Sequence, residues 1–308
     1  MKTPRWFLKK RFLALLLWPL SLFYYIASRL VFRFRKLKEY KSRRIVICFG
    51  NILSGGVGKT PIVRTVAKIF DAPVVMRGYK KSDQTNGVGD EAKMLSNDGL
   101  LVHVGDRKSN LILLNKQKSD TPIVMDDGFQ NSSIKKDISV LVFDEGIGFG
   151  NGFLLPAGPL REPKSAIERA DAIILIKRKN VARNFSLPTN IPVFNAYNRE
   201  ICPYDKKTRV IAFAGIGYPE KFFDNVPCNV VEKISFPDHY QYMDEDIKKL
   251  IKKAKDKNAY LLTTEKDWVR LSHDAQKQIK FSAINTEIES KFYNWLKGKV
   301  NDINNKTN

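Results

Sequence analysis

Short apolar runs rich in β-branched residues alternate with segments that are apolar at helical spacing over most of the chain. The strand-like runs are 45–49, 73–76, 100–104, 122–125, 139–143, 172–176, 210–214, 230–234 and 260–263. The helix-like segments include 62–70, 90–97, 107–117, 219–225 and 244–255. Continuous apolar runs are typical of strands buried on both faces. The pattern therefore predicts an α/β fold with a mostly parallel sheet and helices on both of its faces.

The same pattern divides the chain into three parts. A polar stretch at 197–208, which contains Pro203, separates a first series of strands and helices from a second series that begins near Arg209. We expect an arm over 1–40, a core domain over 41–200 and a smaller α/β domain over 201–308. The Asn- and Lys-rich tail from Val300 is expected to fray.

The arm contains an uncharged stretch with basic residues on both sides. Phe12–Ser28 carries no charge, while Lys9, Lys10 and Arg11 precede it and Arg29 follows it. As a helix, a stretch of this length reaches about 25 Å, slightly less than the ~30 Å hydrocarbon core of a bilayer. We predict a membrane-associated helix, and the sequence leaves open whether it spans the bilayer or lies in its interface.

Two other interpretations of the arm are weaker. A cleaved signal peptide needs a small-residue cleavage site, and the dense basic block after the apolar stretch resists export. A buried core helix is disfavoured by the Lys and Arg residues that surround the stretch.

The net charge is concentrated in the arm. The chain has 53 Lys and Arg against 32 Asp and Glu, a formal charge of +21, which by itself suggests nucleic-acid binding. However, residues 1–44 hold 13 of the basic residues and a single acid, so more than half of the excess lies there. We therefore expect attraction to anionic lipid head groups and no nucleic-acid partner.

The cysteines argue against a secreted disulfide scaffold and against a clustered metal site. Cys48, Cys202 and Cys228 are widely spaced, and none belongs to a CxxC pair. We expect three core thiols in a protein on the cytosolic side of a membrane.

A glycine-rich loop gives the first indication of chemistry. GNILSGGVGKTP, residues 50–61, stands between a predicted strand and a predicted helix. Backbone N–H groups of such a loop can surround phosphate oxygens, while its Lys reaches the β- and γ-phosphates and its Thr binds Mg²⁺. The core is thus predicted to be P-loop NTPase-like, although Leu53 stands where the strict GxxxxGK[ST] pattern has glycine. The predicted nucleotide-binding residues of the loop are Ser54, Gly55, Gly56, Val57, Gly58, Lys59 and Thr60.

An acidic pair ends the apolar run 122–125. Asp126 and Asp127 would lie at the carboxyl edge of the sheet, beside the phosphate loop, where carboxylates hold Mg²⁺ directly or through water. With the Thr60 hydroxyl they form the predicted metal site. The alternative is a plain Asp-Gly turn without a metal.

The remaining candidates are weak when taken singly. Asp90 opens a predicted helix and could simply cap it. His239 is one of three histidines and lies in a predicted loop. Arg107, Arg161 and Glu162 have the character of ordinary surface charges.

Together these segments resemble the tetraacyldisaccharide 4′-kinases, membrane-bound enzymes that phosphorylate the lipid A disaccharide precursor. The resemblance runs in order along most of the chain. After the arm and the phosphate loop it covers Arg77-Gly78-Tyr79, Gly89-Asp90-Glu91, DDGFQ (126–130), NGFLLPAGPLREP (151–163), AGIGYPEKFF (214–223), FPDHY (236–240) and TEKD (264–267). DDGFQ and LLPAGPLRE in this order are highly specific, and the family's loop often lacks the first glycine.

The resemblance implies further roles. Asp90 matches the general base, and His239 matches the histidine that is thought to pair with it. Arg107 and Arg161 match basic active-site residues, whose guanidinium groups could stabilise charge on the transferred phosphoryl group. The neighbouring polar site residues are Glu162 and Gln130.

The chain departs from the family pattern at three positions that receive no role. Asn131 replaces a His that often follows DDGxQ, Ala92 replaces a Pro after Gly-Asp-Glu, and Tyr240 replaces the second His of a DHH pattern. None of these departures removes a proposed catalytic group.

The resemblance implies transfer of the γ-phosphate of ATP, with Mg²⁺, to the 4′-hydroxyl of the lipid A disaccharide 1-phosphate. It also implies an active site on the cytoplasmic face of the inner membrane, closure of the second domain over the cleft, and no obligate protein partner.

Two alternatives belong to other classes. One is another P-loop ATPase or GTPase at the membrane, but guanine recognition usually needs Asn-Lys-x-Asp, and the nearest segment, 115–118, ends in Lys. The other is a non-enzymatic basic binding protein, which leaves GGVGKT, DDGFQ and LLPAGPLRE unexplained.

Overall fold

The computed structural model of the protein describes residue 7 and residues 12–77, 89–178, 185–217 and 219–307. Gly78 and Tyr79 of the 77–79 motif, and most of the arm before Phe12, lie outside the described residues. By contacts the chain forms two units: a larger one, Pro4–Tyr197 with Thr286–Asn308, and a smaller one that comprises chiefly Asn198–Asn285.

A long apolar helix, α1 (Phe12–Leu37), begins the described chain and continues through Pro19. Its buried residues are small, Ala14 and Ser21, whereas most of its large apolar side chains are exposed. Within the described residues it is the one helix long and apolar enough to cross a membrane. So much exposed apolar surface argues against the alternative of a core helix.

The larger unit contains seven parallel strands, in the spatial order β3-β2-β4-β1-β5-β6-β7. Along the chain its elements are β1 (Val46–Gly50), α2 (Lys59–Phe70), β2 (Val74–Met76), α3 (Asp90–Asn97), β3 (Val102–Val104), α4 (Arg107–Asn115), β4 (Ile123–Asp126), β5 (Ile138–Asp144), a 3₁₀ helix (Lys164–Arg169), β6 (Ala172–Lys177) and β7 (Val193–Ile201). The predicted α/β fold with a mostly parallel sheet is confirmed.

The central strand β1 shows why its apolar run is unbroken. Ile47 and Phe49 belong to the same apolar cluster as helix α2, whereas Val46 and Cys48 pack with helix α4. Because successive side chains of a strand point to opposite faces, a strand covered on both faces needs apolar residues at every position.

In the smaller unit the parallel strands follow the order β11-β10-β8-β9. Its elements are β8 (Arg209–Ala214), α5 (Pro219–Phe223), β9 (Asn229–Ser235), α6 (Asp244–Asp256), β10 (Tyr260–Thr264), α7 (Glu265–Trp268), α8 (His273–Gln278) and β11 (Lys280–Ile288). The chain passes between the units along β7 and along β11.

The structure differs from the predicted organisation at the C-terminus. Helix α9 (Ser290–Thr307) groups with the larger unit, not with the smaller domain predicted over 201–308, and it continues where the tail was expected to fray. Phe292, Leu296 and Val300 recur every fourth residue and are buried in the cluster that contains Phe49. This apolar stripe holds the helix on the larger unit.

Two further expectations are corrected. The polar stretch from 197 was predicted as a linker, but its first residues extend β7 to Ile201, where most side chains are exposed and give no apolar signal. Cys48 is a buried thiol as expected, whereas Cys202 and Cys228 lie side by side and only partly buried against the apolar cluster around β8, so they are not core residues.

Candidate active site

The phosphate loop lies between β1 and α2. Gly58, the residue before α2, has the left-handed angles φ 84° and ψ 33°, and Gly55 has φ 115°. Other residues rarely adopt such angles, which explains the richness in glycine. Val57 is buried in the core, so it can offer a phosphate only its backbone.

The LLPAGPLRE segment is hydrogen-bonded to this loop through the backbone. The amide of Ser54 donates to the carbonyl of Pro159 at 2.7 Å, and the amide of Arg161 donates to the carbonyl of Ile52 at 2.8 Å. Leu53 bridges Leu160 in an antiparallel pair, and both side chains are buried in one apolar cluster. The replacement of the first glycine by Leu53 thus has a structural explanation: the side chain fixes the LLPAGPLRE segment to the loop.

Lys59 contacts two side chains of the site. Its Nζ lies 3.0 Å from Oδ1 of Asp127 and 3.1 Å from Oδ1 of Asn51. Asn51 is fully buried, its Nδ2 donates to the carbonyl of Gly55 at 3.4 Å, and its own carbonyl accepts from Nε2 of Gln130 at 2.8 Å. Sequence reasoning missed Asn51 as a site residue, although it stands inside the quoted loop.

Asp126 ends β4 with its carboxylate 3% exposed. Its Oδ1 accepts no hydrogen bond from any residue that the structure describes. Burial, together with the negative charges of Glu91 and Asp127, raises the pKa of Asp126 to about 7. A buried carboxylate oxygen without a donor fits a cation ligand, and Thr60 is also buried, in the first turn of α2.

The pKa of the neighbouring carboxylate, Asp127, is shifted in the opposite direction. Asp127 has a left-handed φ of 49° and lies 3.0 Å from Nη1 of Arg161 as well as from Nζ of Lys59. Burial raises the pKa of Asp127, but the two cations outweigh it and lower that pKa to about 2. Asp127 therefore stays ionised at any physiological pH.

The turn after these acids is held tightly against the sheet. A Cβ at Gly128 would come within 3.0 Å of the Cys48 sulfur and closer still to the Met125 side chain, so no larger residue fits. Nη2 of the buried Arg107 donates to the carbonyls of Asp126 and Asp127 at 2.8 and 2.9 Å. Burial lowers the pKa of Arg107. The predicted active-site arginine thus holds the backbone that carries the two acids.

Glu162 follows Arg161 and forms an ion pair with Arg169. Burial raises the pKa of Glu162. The guanidinium of Arg169 lies 4.5 Å from the ring centre of Phe129 and 4.8 Å from that of Phe32 in helix α1. Sequence reasoning missed Arg169, because no motif marks it and only the fold brings its three partners together.

Asp90 begins helix α3, preceded by Gly89 at the N-cap, and belongs to the larger unit with the phosphate loop. The negative charge of the next residue, Glu91, contributes to the raised pKa of Asp126. The sequence singled out Asp90 but gave no role to Glu91.

His239 belongs to the smaller unit. Its side chain is 72% exposed, its backbone φ is 59°, and its amide donates to the carbonyl of Gly215 at 3.0 Å. The pairing of His239 with Asp90 stays a prediction.

Helix α1 contacts the LLPAGPLRE segment directly. Oγ of Ser21 donates to the carbonyl of Leu154 at 2.9 Å, and the hydroxyl of Tyr24 donates to the carbonyl of Arg161 at 3.1 Å. A cavity opens between the helix and the site, lined by residues that include Tyr24, Arg29, Arg35, Gln130, Arg161 and Glu162. The apolar helix and the phosphate loop are thereby joined through one segment of chain.

Comparison with known proteins identifies the family of the chain. The sequence profile of the family described as Tetraacyldisaccharide-1-P 4′-kinase matches residues 13–301. The Tetraacyldisaccharide 4′-kinase of Rickettsia canadensis (strain McKiel) is 37% identical over 297 residues, which cover 90% of each chain. That of Parvibaculum lavamentivorans is 36% identical over 302 residues, covering 89% of this chain and 87% of its own.

A solved structure is also similar. The crystal structure of LpxK from Aquifex aeolicus in complex with ATP aligns with a TM-score of 0.76 at 28% identity, covering 94% of this chain and 99% of that one. Family profile, relatives and fold agree, and the chain belongs to the tetraacyldisaccharide 4′-kinase family.

Proposed function

We propose that this chain performs the family's reaction at the cluster around Lys59, Asp126, Asp127 and Arg161. The reaction is transfer of the γ-phosphoryl group of ATP to the 4′-hydroxyl of the lipid A disaccharide 1-phosphate. The observation that carries the assignment is the position of this cluster: it lies at the phosphate loop and, through the LLPAGPLRE segment, beside the apolar helix α1.

The nucleotide would be bound mainly by backbone and by Lys59. The amides of the loop and the N-terminus of α2 attract the phosphates. In this structure Lys59 and Arg161 are both paired with Asp127, whose single negative charge offsets only part of their positive charge. Phosphate oxygens are competing partners for both cations, and two cations at the transferred group would stabilise the charge that develops there.

The residues present fit Mg²⁺. The described residues contain no cluster of three His, Cys, Asp or Glu side chains that could hold a metal ion alone. Mg²⁺ does not need one, because it commonly takes one or two carboxylates together with substrate phosphates and water. The buried Oδ1 of Asp126, the hydroxyl of Thr60 and the carboxylate of Asp127 would hold it. When bound, the ion neutralises charge on the β- and γ-phosphates.

Asp90 is the proposed base, assigned by its match to the family motif. It would accept the proton of the 4′-hydroxyl as the bond from that oxygen to the γ-phosphorus forms and the bond to the leaving ADP breaks. His239 is proposed to orient the Asp90 carboxylate or to help move its proton. Closure of the smaller domain over the cleft, which would exclude water, stays a prediction.

The acceptor would reach the site from the membrane. The exposed apolar face of α1 fits the acyl region of a cytoplasmic leaflet, and the cavity beside it presents Arg29, Arg35 and Arg161, suited to the phosphate of a glycolipid. We therefore place the enzyme on the cytoplasmic face of the inner membrane.

The alternative of a GTP-dependent protein is disfavoured by the surroundings of Asn115. Its Oδ1 accepts from the hydroxyl of Ser42 at 3.0 Å, and its Nδ2 donates to the hydroxyl of Tyr40 at 2.9 Å. The asparagine of the segment nearest to a guanine-recognition motif is thus engaged in a structural network.

The experiment that tests the function compares phosphoryl donors and acceptors. Purified protein in detergent micelles receives γ-labelled ATP or GTP, Mg²⁺, and either the lipid A disaccharide 1-phosphate or the same lipid already blocked at the 4′ position. We expect label in the lipid with ATP and the free acceptor only. Release of label as inorganic phosphate with equal rates for both acceptors would instead indicate an ordinary ATPase.

A further inference from the structure

We propose that Arg270 is a positioning residue for His239: its guanidinium donates to Nδ1 of the imidazole and so keeps the ring proton on Nε2. The inference rests on the proposed function, in which His239 takes part in proton transfer. Both residues lie in the smaller unit.

Arg270 is held rigidly from inside that unit. Its side chain is only 3% exposed, and Nη1 donates to a carboxylate oxygen of Asp267 at 2.9 Å and to the carbonyl of Gly215 at 3.0 Å. Nη2 of the same guanidinium lies 3.4 Å from Nδ1 of His239, a long hydrogen bond compared with the roughly 2.7–3.2 Å that is usual for N–H donors. A long, normally mobile side chain is thus fixed at one edge and presents the other edge to the histidine.

Asp267 is the anchor of this arrangement. Its fully buried carboxylate also accepts from the amide of Gly215 at 3.0 Å, the hydroxyl of Tyr242 at 2.9 Å and the hydroxyl of Thr264 at 2.7 Å. Several donors to one buried carboxylate fix its position. The aspartate of the TEKD motif, for which the reaction itself provides no role, thereby determines where Arg270 lies.

Gly215 connects the anchor to the histidine. Its carbonyl accepts both from Nη1 of Arg270 and from the amide of His239, so one oxygen sets the positions of both residues. A Cβ at Gly215 would lie 3.0 Å from the carbonyl of Pro237 and 3.1 Å from Oδ1 of Asp267, so a larger residue would fit only if these neighbours moved. The AGIG, FPDH and TEKD segments therefore meet around Gly215, next to the backbone of His239.

The chemistry of the pair sets the tautomer. An arginine side chain keeps its proton and can only donate, so Nδ1 of His239 must accept. A neutral imidazole that accepts at Nδ1 carries its proton on Nε2. A second charged group close to the ring is Asp238, whose Oδ1 lies 3.9 Å from Nε2. The ring thus offers an Nε2–H donor, the form suited to hydrogen-bonding the carboxylate of a base.

The first test reads the imidazole of the unmodified protein directly. The protein is labelled with ¹⁵N-histidine, and long-range ¹H–¹⁵N spectra are recorded at alkaline pH, where the neutral ring is observed. A His239→Gln variant identifies the signal among the three histidines. We expect a single Nε2–H tautomer whose Nδ1 has the chemical shift of a hydrogen-bonded acceptor. An Nδ1–H tautomer, or an Nδ1 shift equal to that of a free ring nitrogen, would overturn the proposal.

The second test removes the donor. Arg270→Met and Arg270→Lys are compared with Arg209→Met, in which a guanidinium of the same unit loses a contact to the carbonyl of Lys257. We expect both Arg270 variants to move the Nδ1 signal towards the free value and to lower kcat about 10- to 100-fold, with the KM for ATP unchanged. Arg209→Met should do neither.

The spectrum and the rate separate this inference from the proposed function. An Nδ1 signal that does not move in either Arg270 variant would refute the contact, whatever the activity. A signal that moves while kcat stays the same would refute the positioning role. If the unmodified protein transfers no label to the lipid, the proposed function is refuted. The histidine spectrum would still show whether Arg270 contacts Nδ1 of His239.

Discussion

Nζ of Lys59, in the phosphate loop, lies 3.0 Å from a carboxylate oxygen of Asp127, the residue that follows β4. Arg161 contacts the same carboxylate at 3.0 Å, so one acid pairs with two cations and the group keeps a net positive charge. Because the pKa of Asp127 is lowered to about 2, its carboxylate stays ionised and paired with both cations at neutral pH. The same two cations are available to the phosphates of a bound nucleotide.

Replacing Lys59 by Ala should therefore abolish most of the activity. Removing a single preorganised group that stabilises transition-state charge commonly costs about 10²–10³ in kcat. We expect a loss of at least that size in label transfer for Lys59→Ala. Lys68→Ala is the matched control, because Lys68 is a half-exposed lysine of the same helix that pairs with Asp98. A Lys59→Ala variant with nearly normal kcat would argue against the phosphate-loop assignment.

The pKa of Asp126 predicts a dependence of stability on pH. Folding raises this pKa from 3.8 to about 7, so the folded state holds the proton more tightly than the unfolded state does. The resulting penalty is absent below about pH 4, grows as pH rises and is complete above about pH 7. Asp126→Asn, which cannot ionise, should stabilise the protein at about pH 8 without Mg²⁺ by about 2 to 4 kcal/mol.

Denaturant unfolding with a metal chelator present measures this effect. The gain of Asp126→Asn should shrink between about pH 8 and pH 5, and Asp120→Asn, at a fully exposed site, should show no gain at either pH. A gain that is the same at both pH values would show that ionisation of Asp126 is not its cause.

Asp90 is predicted to act in catalysis rather than as a helix cap. General bases contribute roughly 10²–10⁴ to a rate, so Asp90→Asn should lower kcat by a factor in that range while the KM for ATP changes little. Asp244→Asn is the matched control, because Asp244 is the first residue of α6 as Asp90 is of α3. Equal and small effects of the two substitutions would indicate that both acids only stabilise their helix ends.

Helix α1 is predicted to bind the membrane through its exposed apolar face. Trp18 and Phe23 are 54% and 69% exposed, and each should contribute about 1.5–3 kcal/mol when buried in lipid. Replacing either by Glu should reduce binding to vesicles with anionic lipid at least about 10-fold in a sedimentation assay. Leu101→Glu is the control, because Leu101 is an exposed apolar residue of the larger unit that lies outside α1. Unchanged sedimentation of both α1 variants would show that another surface binds lipid.

Local signals made much of the fold predictable. The strand before the phosphate loop, the helix after it and the acids at the end of β4 each follow from a contiguous pattern of residues. By contrast, α9 packs on the larger unit through Phe292 and Leu296, and nothing along the chain tells which sheet those side chains meet. Strand β7 was not predicted at all, and its second half, which is exposed and polar, gives no apolar run.

The candidate site shows the same division. Lys59, Asp126 and Asp127 were found because their spacing has a chemical reason, and Asp90 and His239 because their motifs resemble those of a known family. Sequence patterns did not indicate Arg169 or Arg270, since the side-chain rings that each of them contacts are distant in the sequence. Residues that hold other residues in place become visible only when the fold brings their partners together.

The most direct measurement is the fate of the γ-phosphoryl group in a single reaction mixture. ADP formed and phosphate gained at the 4′ position of the lipid are quantified together, by chromatography and ³¹P NMR, for the unmodified protein and for Lys59→Ala. We predict one 4′-phosphate for each ADP formed by the unmodified protein, and neither product in quantity with Lys59→Ala. ADP formation without 4′-phosphorylation, or product formation undiminished in Lys59→Ala, would contradict the assignment of this cluster as the kinase site.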